Sequence, residues 1–339
     1  MANGEGQALA TDLLFGIQTN GIKHTHADPM PEIDTRFRMV RDAGVFDYVD
    51  KTPAPGEVRE FLAARDKYGI PVRAGGWFYT LGRDEDLLVH NLEVGRELGS
   101  LVHNVQFLAN HADGHEVTDD EVVSACLRAA EAGDRIGVTP CFEVHVNMWS
   151  EDFRRVESVG RSVESHGVPF NMTLDHSHVI FKIDNPEEQD IGGIREAVAA
   201  GEIVLDPYAP GNVCQRWIDF GWVRHCHARA AVPNNPKNVA AVDEDGNPGR
   251  GIQYPFKQPA PGEYHTEWRE AALEPWKEVI RALLRHHAAD DAATLGQIST
   301  EFIPNLDYGE GCQYSLFEQA IACVEWMRAT WADLRPTAH

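Results

Sequence analysis

Apolar and polar positions along this chain follow two alternating periodicities, one typical of strands and the other of helices. Short runs rich in aliphatic, aromatic and β-branched residues, such as LLFGIQT at 13–19, predict buried strands. Longer segments with an apolar stripe every three to four residues predict amphipathic helices. The predicted strands are 13–19, 46–52, 72–80, 101–109, 139–146, 170–178, 222–230 and 295–303, and the predicted helices are about 31–43, 55–69, 84–98, 118–137, 151–166, 187–200, 267–289 and 313–334.

Eight strand–helix units in one continuous chain favour a closed barrel over an open, doubly wound sheet. No G-x-G-x-x-G pattern follows the first strand, which argues against a dinucleotide-binding sheet. The sequence therefore predicts a single (β/α)8-barrel domain over residues 1–339, with 201–212 as a short insertion or looped strand.

A loop rich in Pro, Gly and Asn follows the seventh predicted strand, at about 231–266. Loops longer than roughly 15 residues are usually functional lids or disordered segments. We expect a lid or a contact with another subunit, and a flexible insertion is the alternative.

The net charge and the cysteine pattern indicate which partners and which cellular compartment to expect. The 53 acidic residues outnumber the 30 basic ones and give a formal net charge of −23, which repels phosphate backbones and argues against a nucleic-acid partner. None of the six cysteines forms a C-x-x-C pair, and a reducing compartment fits them best. The N-terminal segment lacks a signal-peptide pattern, and no stretch approaches the roughly 18 apolar residues of a membrane span. We expect a cytoplasmic protein without a membrane partner.

Four ionisable residues lie near the carboxyl ends of the last four predicted strands, where barrels carry their chemistry. They are Glu143, Asp175, His227 and Glu301, each within apolar sequence in which an unpaired charge is costly. Three carboxylates and one imidazole converging there suit one divalent ion, with Mn²⁺, Mg²⁺ and Co²⁺ as the candidates. A buried salt-bridge network is the alternative.

His145 lies two residues after Glu143, so the two side chains share one face of the strand and point into the barrel mouth. An imidazole beside a bound metal can transfer protons near neutral pH, and we predict this catalytic role. The alternative is that His145 only orients a ligand or a loop.

Other residues near the predicted mouth are candidates for binding substrate. His24 and His26 follow the first strand, Trp77 lies near the end of the third, and Asn147 extends the face of the fifth. His111 and His115, in the loop after the fourth strand, are predicted to be solvated.

Taken together, the ordered set Glu, Asp, His, Glu resembles the xylose-isomerase-like barrel superfamily of sugar isomerases and epimerases. The segment LDHSH is similar to that family's L-D-x-x-H, which implies that Asp175 binds metal and His178 binds substrate. The segment RHCHARA is similar to its H-x-H, which implies His227 as the ligand and His225 as its neighbour. The resemblance covers about 12–334 and implies carbonyl–enediol chemistry on a sugar.

The chain also departs from the ketose-epimerase pattern. The Arg expected six residues after the ligand His is Pro233, and the Glu expected six residues after the first ligand is Trp149. The E-x-H sequence of Glu143 and His145 instead resembles the α-subunit of bacterial C-glycoside deglycosidases.

That resemblance implies carbon–carbon cleavage of a 3-oxo-C-glycoside with a flavonoid-type aglycone. His145 would remove the C2 proton, a divalent metal, most often Mn²⁺, would act as Lewis acid, and β-elimination would expel the aglycone. It also implies a small β-subunit and a hetero-oligomer.

Three other functions stay open on the sequence. A metal-dependent ketose isomerase or epimerase is the main alternative, although the absent Arg and Glu argue against it. An endonuclease-type barrel needs a basic groove, which the net charge disfavours. A non-catalytic, metal-stabilised scaffold that binds a partner is the least favoured.

Overall fold

The computed structural model describes residues 13–290 and 292–334. In these ranges, eight parallel strands close into a barrel in the order β1-β2-β3-β4-β5-β6-β7-β10, with β10 pairing back to β1. The strands of the described ranges are β1 Leu14–Gln18, β2 Tyr48–Asp50, β3 Val72–Tyr79, β4 Val102–Phe107, β5 Thr139–Glu143, β6 Met172–Leu174, β7 Val223–Ala228, β8 Asn238–Val242, β9 Pro248–Gly249 and β10 Gln297–Thr300. Of these, β8 and β9 lie outside the barrel. The predicted (β/α)8 barrel is confirmed.

Helices surround the barrel and cover the outer faces of its strands. They are α1 Ile33–Ala43, α2 Val58–Tyr68, α3 Glu85–Leu98, α4 Asp119–Ile136, α5 Phe153–Ser165, α6 Ser177–Ile180, α7 Pro186–Ile191, α8 Arg195–Ala199, α9 Val213–Asp219, α10 Glu274–Ala289 and α11 Leu316–Leu334. A continuous apolar core fills the space between strands and helices. No helix in the described ranges is both long and apolar enough to cross a membrane.

Local signals explain several helix boundaries. Thr118 and Glu121 form a capping box, in which each side chain accepts a hydrogen bond from the other's backbone N–H at the start of α4. Gly44 and Gly137 end α1 and α4 in the left-handed conformation, at φ of 66° and 85°.

The structure differs from the prediction between β6 and β7. The helix predicted at 187–200 is divided, because Gly192 and Gly193 separate α7 from α8. The segment 201–212 contains no strand, and the helix α9 that follows it was not predicted. The helix predicted from 267 begins at Glu274, after a short 3₁₀ turn.

The barrel interior has an apolar floor below a polar layer. Tyr48, Ala74, Val102 and Cys141 form a small buried cluster inside the barrel, separate from the outer core. Gly16 leaves room for this floor, since a Cβ there would lie 2.4 Å from the Tyr48 ring. Polar side chains therefore occupy the barrel toward the carboxyl ends of the strands.

The insertion after β7 is packed against the barrel mouth. Its segment β8–β9 forms a two-stranded antiparallel sheet. Its later part is buried at Ile252 and Gln253, and the Gln253 amide exchanges hydrogen bonds with Ile303 N (2.9 Å) and Tyr308 O (2.8 Å). The described insertion is thus fastened to the loop after β10. Its role as a lid or subunit contact stays a prediction.

Candidate functional site

The ionisable residues predicted from the strand ends lie at one end of the barrel and are buried. Glu143 ends β5, His227 is the penultimate residue of β7, and Asp175 and Glu301 directly follow β6 and β10. A cavity of about 270 Å³ opens above them. This is the end at which (β/α)8 barrels carry their active sites.

Three of the four predicted ligands converge on one point. His227 Nδ1 lies 3.0 Å from Glu143 Oε1 and 3.2 Å from Glu301 Oε2, and one ligand atom from each residue lies within 4.8 Å of the others. We call Glu143, His227 and Glu301 the barrel site. Two carboxylate oxygens and one imidazole nitrogen fit a divalent ion of the Mg²⁺, Mn²⁺ or Co²⁺ kind.

Asp50, which the sequence analysis missed, holds the other side of the His227 ring. Its Oδ2 lies 3.3 Å from His227 Nε2 and accepts a hydrogen bond from Ser299 Oγ at 2.7 Å. A metal-binding histidine commonly donates its second nitrogen to a carboxylate, which fixes the ring and its tautomer. Asp50 therefore leaves Nδ1 of His227 directed at the barrel site.

Asp175 lies beside the barrel site with its oxygens already engaged. Its Oδ1 accepts hydrogen bonds from Ser177 N (3.0 Å) and Ser177 Oγ (2.6 Å). Its Oδ2 accepts one from Arg229 Nη1 (2.6 Å) and lies 3.2 Å from His178 Nε2. Its role as a metal ligand stays a prediction, because joining an ion would require one of these contacts to give way.

Arg229 is the second functional residue that sequence analysis missed. The side chain is buried, and its Nη2 donates to Glu301 Oε2 at 2.5 Å while Nη1 donates to Asp175. The absence of an Arg at position 233 does not deprive the site of a guanidinium. The sequence signal for Arg229 was its spacing from His227. Arg229 follows His227 by two residues, one position beyond β7, and two residues apart along extended chain point to the same side.

The electrostatics of the site favour a cation. Burial would raise the pKa of the Glu143 carboxyl, but the neighbouring His227 lowers it to about 2. Burial would lower the pKa of His227, but the carboxylates of Glu301 and Glu143 raise it well above its usual value. Four buried carboxylates, those of Asp50, Glu143, Asp175 and Glu301, thus lie in ion-pair contact with the Arg229 guanidinium or the His227 imidazole.

His145 lines the cavity above the barrel site. Its Nδ1 lies 2.7 Å from the carbonyl oxygen of Val146, which places the proton on Nδ1 and leaves the Nε2 lone pair free to accept a proton. Nε2 lies 3.5 Å from Tyr308 Oη, and the His145 ring lies 4.2 Å from the His178 ring between centroids. This geometry is suitable for proton transfer; the catalytic role itself stays a prediction.

The predicted substrate residues are distributed between the cavity and its surroundings. Trp77 lines the cavity and stacks on Phe78, with ring centroids 5.3 Å apart. His178 is buried and is absent from the cavity lining, and burial lowers its pKa to about 3, so its ring is neutral near pH 7. Asn147 faces the insertion, where its Oδ1 accepts a hydrogen bond from Arg250 at 3.2 Å.

Three predicted histidines lie away from the cavity lining. His225 is buried one level below His227 and lies 3.1 Å from Ser299 Oγ through its Nε2. His26 packs edge-on against Tyr314 at 5.0 Å between ring centroids, and His24 is exposed. Substrate contact by these residues stays a prediction.

Amide side chains on β4 complete the support of the barrel site. Asn104 Nδ2 donates to Glu143 Oε2 at 2.6 Å, and Gln106 Nε2 donates to the same oxygen. Together they fix one oxygen of the carboxylate, so that Oε1 faces His227. Neither residue was predicted, because amides on a strand carry no distinct spacing signal.

Comparisons with known proteins give structural likenesses only. No protein-family model and no curated protein matches the sequence. A D-allulose 3-epimerase from Methylomonas sp. is similar in structure, with a TM-score of 0.56, 12% identity, and coverage of 96% of this chain and 100% of that one. A 3-keto-D-glucoside 4-epimerase from E. coli has a TM-score of 0.53 at 12% identity over 94% of this chain and 100% of its own.

A third similar structure carries a metal. It is a xylose isomerase-like barrel protein from Mycobacterium smegmatis in complex with magnesium, with a TM-score of 0.52 and 12% identity over 96% of this chain and 100% of that one. At such low identity the likeness establishes architecture rather than activity. The chain therefore shares the closed (β/α)8-barrel fold of these structures.

Proposed function

We propose that this protein is a metal-dependent sugar isomerase or epimerase, which moves a proton on the carbon next to a carbonyl group. One observation carries the proposal: the His145 imidazole lines the same cavity in which His227 Nδ1 meets the carboxylates of Glu143 and Glu301. A proton acceptor and a cation site are thus brought to one small cavity. This combination is what carbonyl–enediol chemistry requires.

Glu143, His227 and Glu301 would hold the ion, and Asp50 would orient His227. When bound, a divalent ion polarises a sugar carbonyl and makes the neighbouring C–H more acidic. Asn104 and Gln106 hold the Glu143 carboxylate in place through hydrogen bonds to its Oε2. These supports keep the ligand atoms together without reorganisation during the reaction.

His145 would take the proton from carbon through Nε2. Its Nδ1 contact with the Val146 carbonyl fixes that tautomer, and Tyr308 Oη lies close enough to relay or stabilise the proton. An aldose–ketose isomerisation needs only one such group, because the same proton returns to the adjacent carbon on the same face. Epimerisation would require a second proton-transfer group on the opposite face of the sugar.

The similar structures support a sugar with a ketone. Two of them are, by name, epimerases of D-allulose and of a 3-keto-D-glucoside. The guanidinium of Arg229 also weakens the argument that this chain lacks the arginine of ketose epimerases. A ketose or a 3-oxo-glycoside is therefore the substrate class we favour.

Carbon–carbon cleavage of a 3-oxo-C-glycoside is a second candidate, favoured by the apolar side of the cavity. Trp77, Phe78, Met148 and Ile303 line one part of it, and Phe78 is 50% exposed. A stacked pair of rings beside a polar floor could accept an aromatic aglycone. Mn²⁺ as the ion, a small β-subunit and a hetero-oligomer belong to this second candidate.

The test is proton exchange at carbon in D2O, followed by NMR. The chelator-stripped chain is supplied with Mn²⁺, Mg²⁺ or Co²⁺ and offered D-allulose, D-fructose, a 3-oxo-glucoside or a 3-oxo-C-glucoside. We expect metal-dependent deuterium incorporation next to the carbonyl, with loss of at least 100-fold in His145→Ala. The surface variant His90→Ala is the matched control.

The outcomes separate the two candidates. Incorporation with epimer or isomer formation supports the main proposal, whereas release of free aglycone supports carbon–carbon cleavage. Incorporation that is undiminished in His145→Ala overturns the role of His145. Neither deuterium incorporation nor formation of an isomer or epimer from any of these sugars, with the metal shown to be bound, overturns the proposed function.

A further inference from the structure

The connection between β4 and α4 carries a second group of metal-ligand residues, outside the site described above. His111, Asp113 and His115 each offer one ligand atom, and these atoms lie within 4.8 Å of one another. We call these three residues the rim cluster. They lie at the same end of the barrel as the cavity, because the connection follows the carboxyl end of β4.

A tight turn brings the H-x-D-x-H residues to one side. His111 N donates to His115 O at 2.8 Å, and Gly114 N donates to His111 O at 2.9 Å. Gly114 has a φ of 97°, which permits the reversal. The neighbouring residues Asn110 and Glu116 form an antiparallel bridge that closes the turn. The local backbone therefore brings the three side chains to one side of the turn.

The ligand atoms already face one another. Asp113 Oδ1 lies 3.1 Å from His111 Nδ1 and 2.5 Å from His115 Nδ1. Two ligands bound to one ion at about 2.1 Å are separated by roughly 3 Å. The two imidazole rings stack at 4.6 Å between centroids, with 24° between their planes. Only small movements of these partly exposed side chains are needed to admit an ion.

The remaining nitrogen of His115 has the support expected of a metal-binding histidine. Nε2 lies 3.0 Å and 3.1 Å from the two carboxylate oxygens of Glu121. Glu121 is itself fixed, since it accepts hydrogen bonds from Thr118 N (2.8 Å) and Thr118 Oγ1 (2.9 Å) in the capping box of α4. A carboxylate that holds the second nitrogen directs Nδ1 toward Asp113 and His111.

The ring of His111 is held from the other side. A Cβ placed at Gly82 would lie 2.3 Å from His111 Nε2, so this ring packs directly on the backbone of the β3–α3 connection. The opposite face of the ring stacks on His115. Its orientation, with Nδ1 toward Asp113, is therefore set by packing.

We propose that the rim cluster binds a divalent transition-metal ion of the Zn²⁺, Ni²⁺ or Cu²⁺ class, through His111, Asp113 and His115. Two imidazoles and one carboxylate suit these ions better than Mg²⁺, which prefers oxygen ligands. Water molecules complete the coordination at this exposed position. The proposal is independent of the proposed function, since it shares no ligand with the barrel site.

Binding there would stiffen one wall of the cavity. Leu108 forms a bridge with Met148, and Ala109 N donates to Asn147 O at 3.4 Å, so the metal-binding turn is joined to the loop after β5. Met148 itself lines the cavity. An ion on the rim cluster would thus restrain a segment that lines the cavity.

The test is the stoichiometry of Zn²⁺ binding to the chelator-stripped full chain, measured by isothermal titration calorimetry. The double variant His111→Ala/His115→Ala is expected to bind one equivalent fewer than wild type. The exposed-histidine variant His90→Ala is the control and should match wild type. Glu143→Gln/His227→Ala removes ligands of the barrel site only, and we expect it to keep the one equivalent of Zn²⁺ bound at the rim cluster. Loss of Zn²⁺ binding at one site is thereby distinguished from its loss at the other.

Two further measurements examine the arrangement itself. Glu121→Gln preserves the capping box, because Gln also serves at that position, yet removes the carboxylate behind His115. We expect it to weaken Zn²⁺ binding at the rim cluster by about 10- to 100-fold. Cu²⁺ bound to the Glu143→Gln/His227→Ala chain should show nitrogen hyperfine coupling in its electron paramagnetic resonance spectrum. Equal stoichiometry for wild type and His111→Ala/His115→Ala, or unchanged affinity in Glu121→Gln, would overturn the proposal.

Discussion

The guanidinium of Arg229 bridges the carboxylates of Asp175 and Glu301, with Nη–O distances of 2.6 Å and 2.5 Å. All three side chains are buried, and Arg229 also packs over the Tyr308 ring at 4.6 Å. The positive charge of Arg229 therefore compensates two carboxylates that follow different strands. Both of these carboxylates are also predicted metal ligands.

Replacing Arg229 by Met should destabilise the apo protein by about 3–5 kcal/mol, because two buried carboxylates lose their partner. Arg229→Lys should cost less, since it keeps the charge but not the two-pronged contact. Urea unfolding with circular dichroism measures both. Equal stability of Arg229→Met and wild type would contradict the bridge.

The same variant tests Asp175 as a ligand. Without Arg229, the Asp175 carboxylate is free to join an ion at the barrel site. Saturating Mn²⁺ should then raise the melting temperature of Arg229→Met more than that of wild type, by the linkage between binding and folding. A smaller or equal rise would place Asp175 outside the coordination sphere.

Asp50→Asn should weaken divalent-metal binding at the barrel site by about 10- to 100-fold, because the amide cannot hold His227 Nε2 as the carboxylate does. Titration calorimetry in the His111→Ala/His115→Ala background isolates this site. Asp66→Asn, at an exposed helical position, is the matched control. An unchanged affinity in Asp50→Asn would mean that His227 is oriented by other contacts.

Arg250 fastens the insertion to the barrel rim, through ion pairs with Glu151 (2.7 Å) and Glu188 (2.6 Å). Arg250→Ala should therefore speed hydrogen exchange across 231–254, while the barrel strands exchange as in wild type. Lys237→Ala removes an exposed ion pair in the same insertion and should change little. Identical exchange in the two variants would show that the insertion is held by packing alone.

The acid side of the stability curve should depend on Glu151. Burial would raise the pKa of its carboxyl, but Lys182 and Arg250 lower it to about 2 in the folded protein, against roughly 4.3 when unfolded. Its contribution, on the order of 3 kcal/mol, is thus present above about pH 4.5 and disappears as the pH falls toward 2.

The measurement is the difference in unfolding free energy between wild type and Glu151→Gln. This difference should be largest near pH 6–7 and shrink steadily below pH 4.5. A difference that stays constant from pH 7 to pH 3 would show that Glu151 acts through shape and hydrogen bonding rather than charge.

The sequence was sufficient to predict the barrel and the end at which its chemistry lies. The short apolar runs of the strands and the apolar stripes of the helices are local signals, and the polar residues at strand ends follow from the parallel topology. The divided helix after β6 also carried a local signal, the adjacent Gly192 and Gly193. By contrast, α9 and the β8–β9 sheet are short elements that depend on packing against the barrel.

The partners of the site residues were not predictable in the same way. Asp50 is 177 positions from His227 along the chain, and Arg229 is 72 from Glu301, so their contacts exist only once the barrel closes. His225 shares a face with His227, but two residues along a strand correspond to about 6.6 Å, which places it below the cavity. Spacing gives the face of a strand but not the depth in the barrel.

All six cysteines are buried as free thiols, so their reactivity can report local unfolding of the segments around them. A thiol reagent can modify such a side chain only when the surrounding segment separates from its neighbours, so each alkylation rate reports a local opening rate. The cysteines sample the outer helices as well as the barrel strands. Pulsed alkylation with mass spectrometry can therefore rank the order in which these segments come apart at Cys126, Cys141, Cys214, Cys226, Cys312 and Cys323.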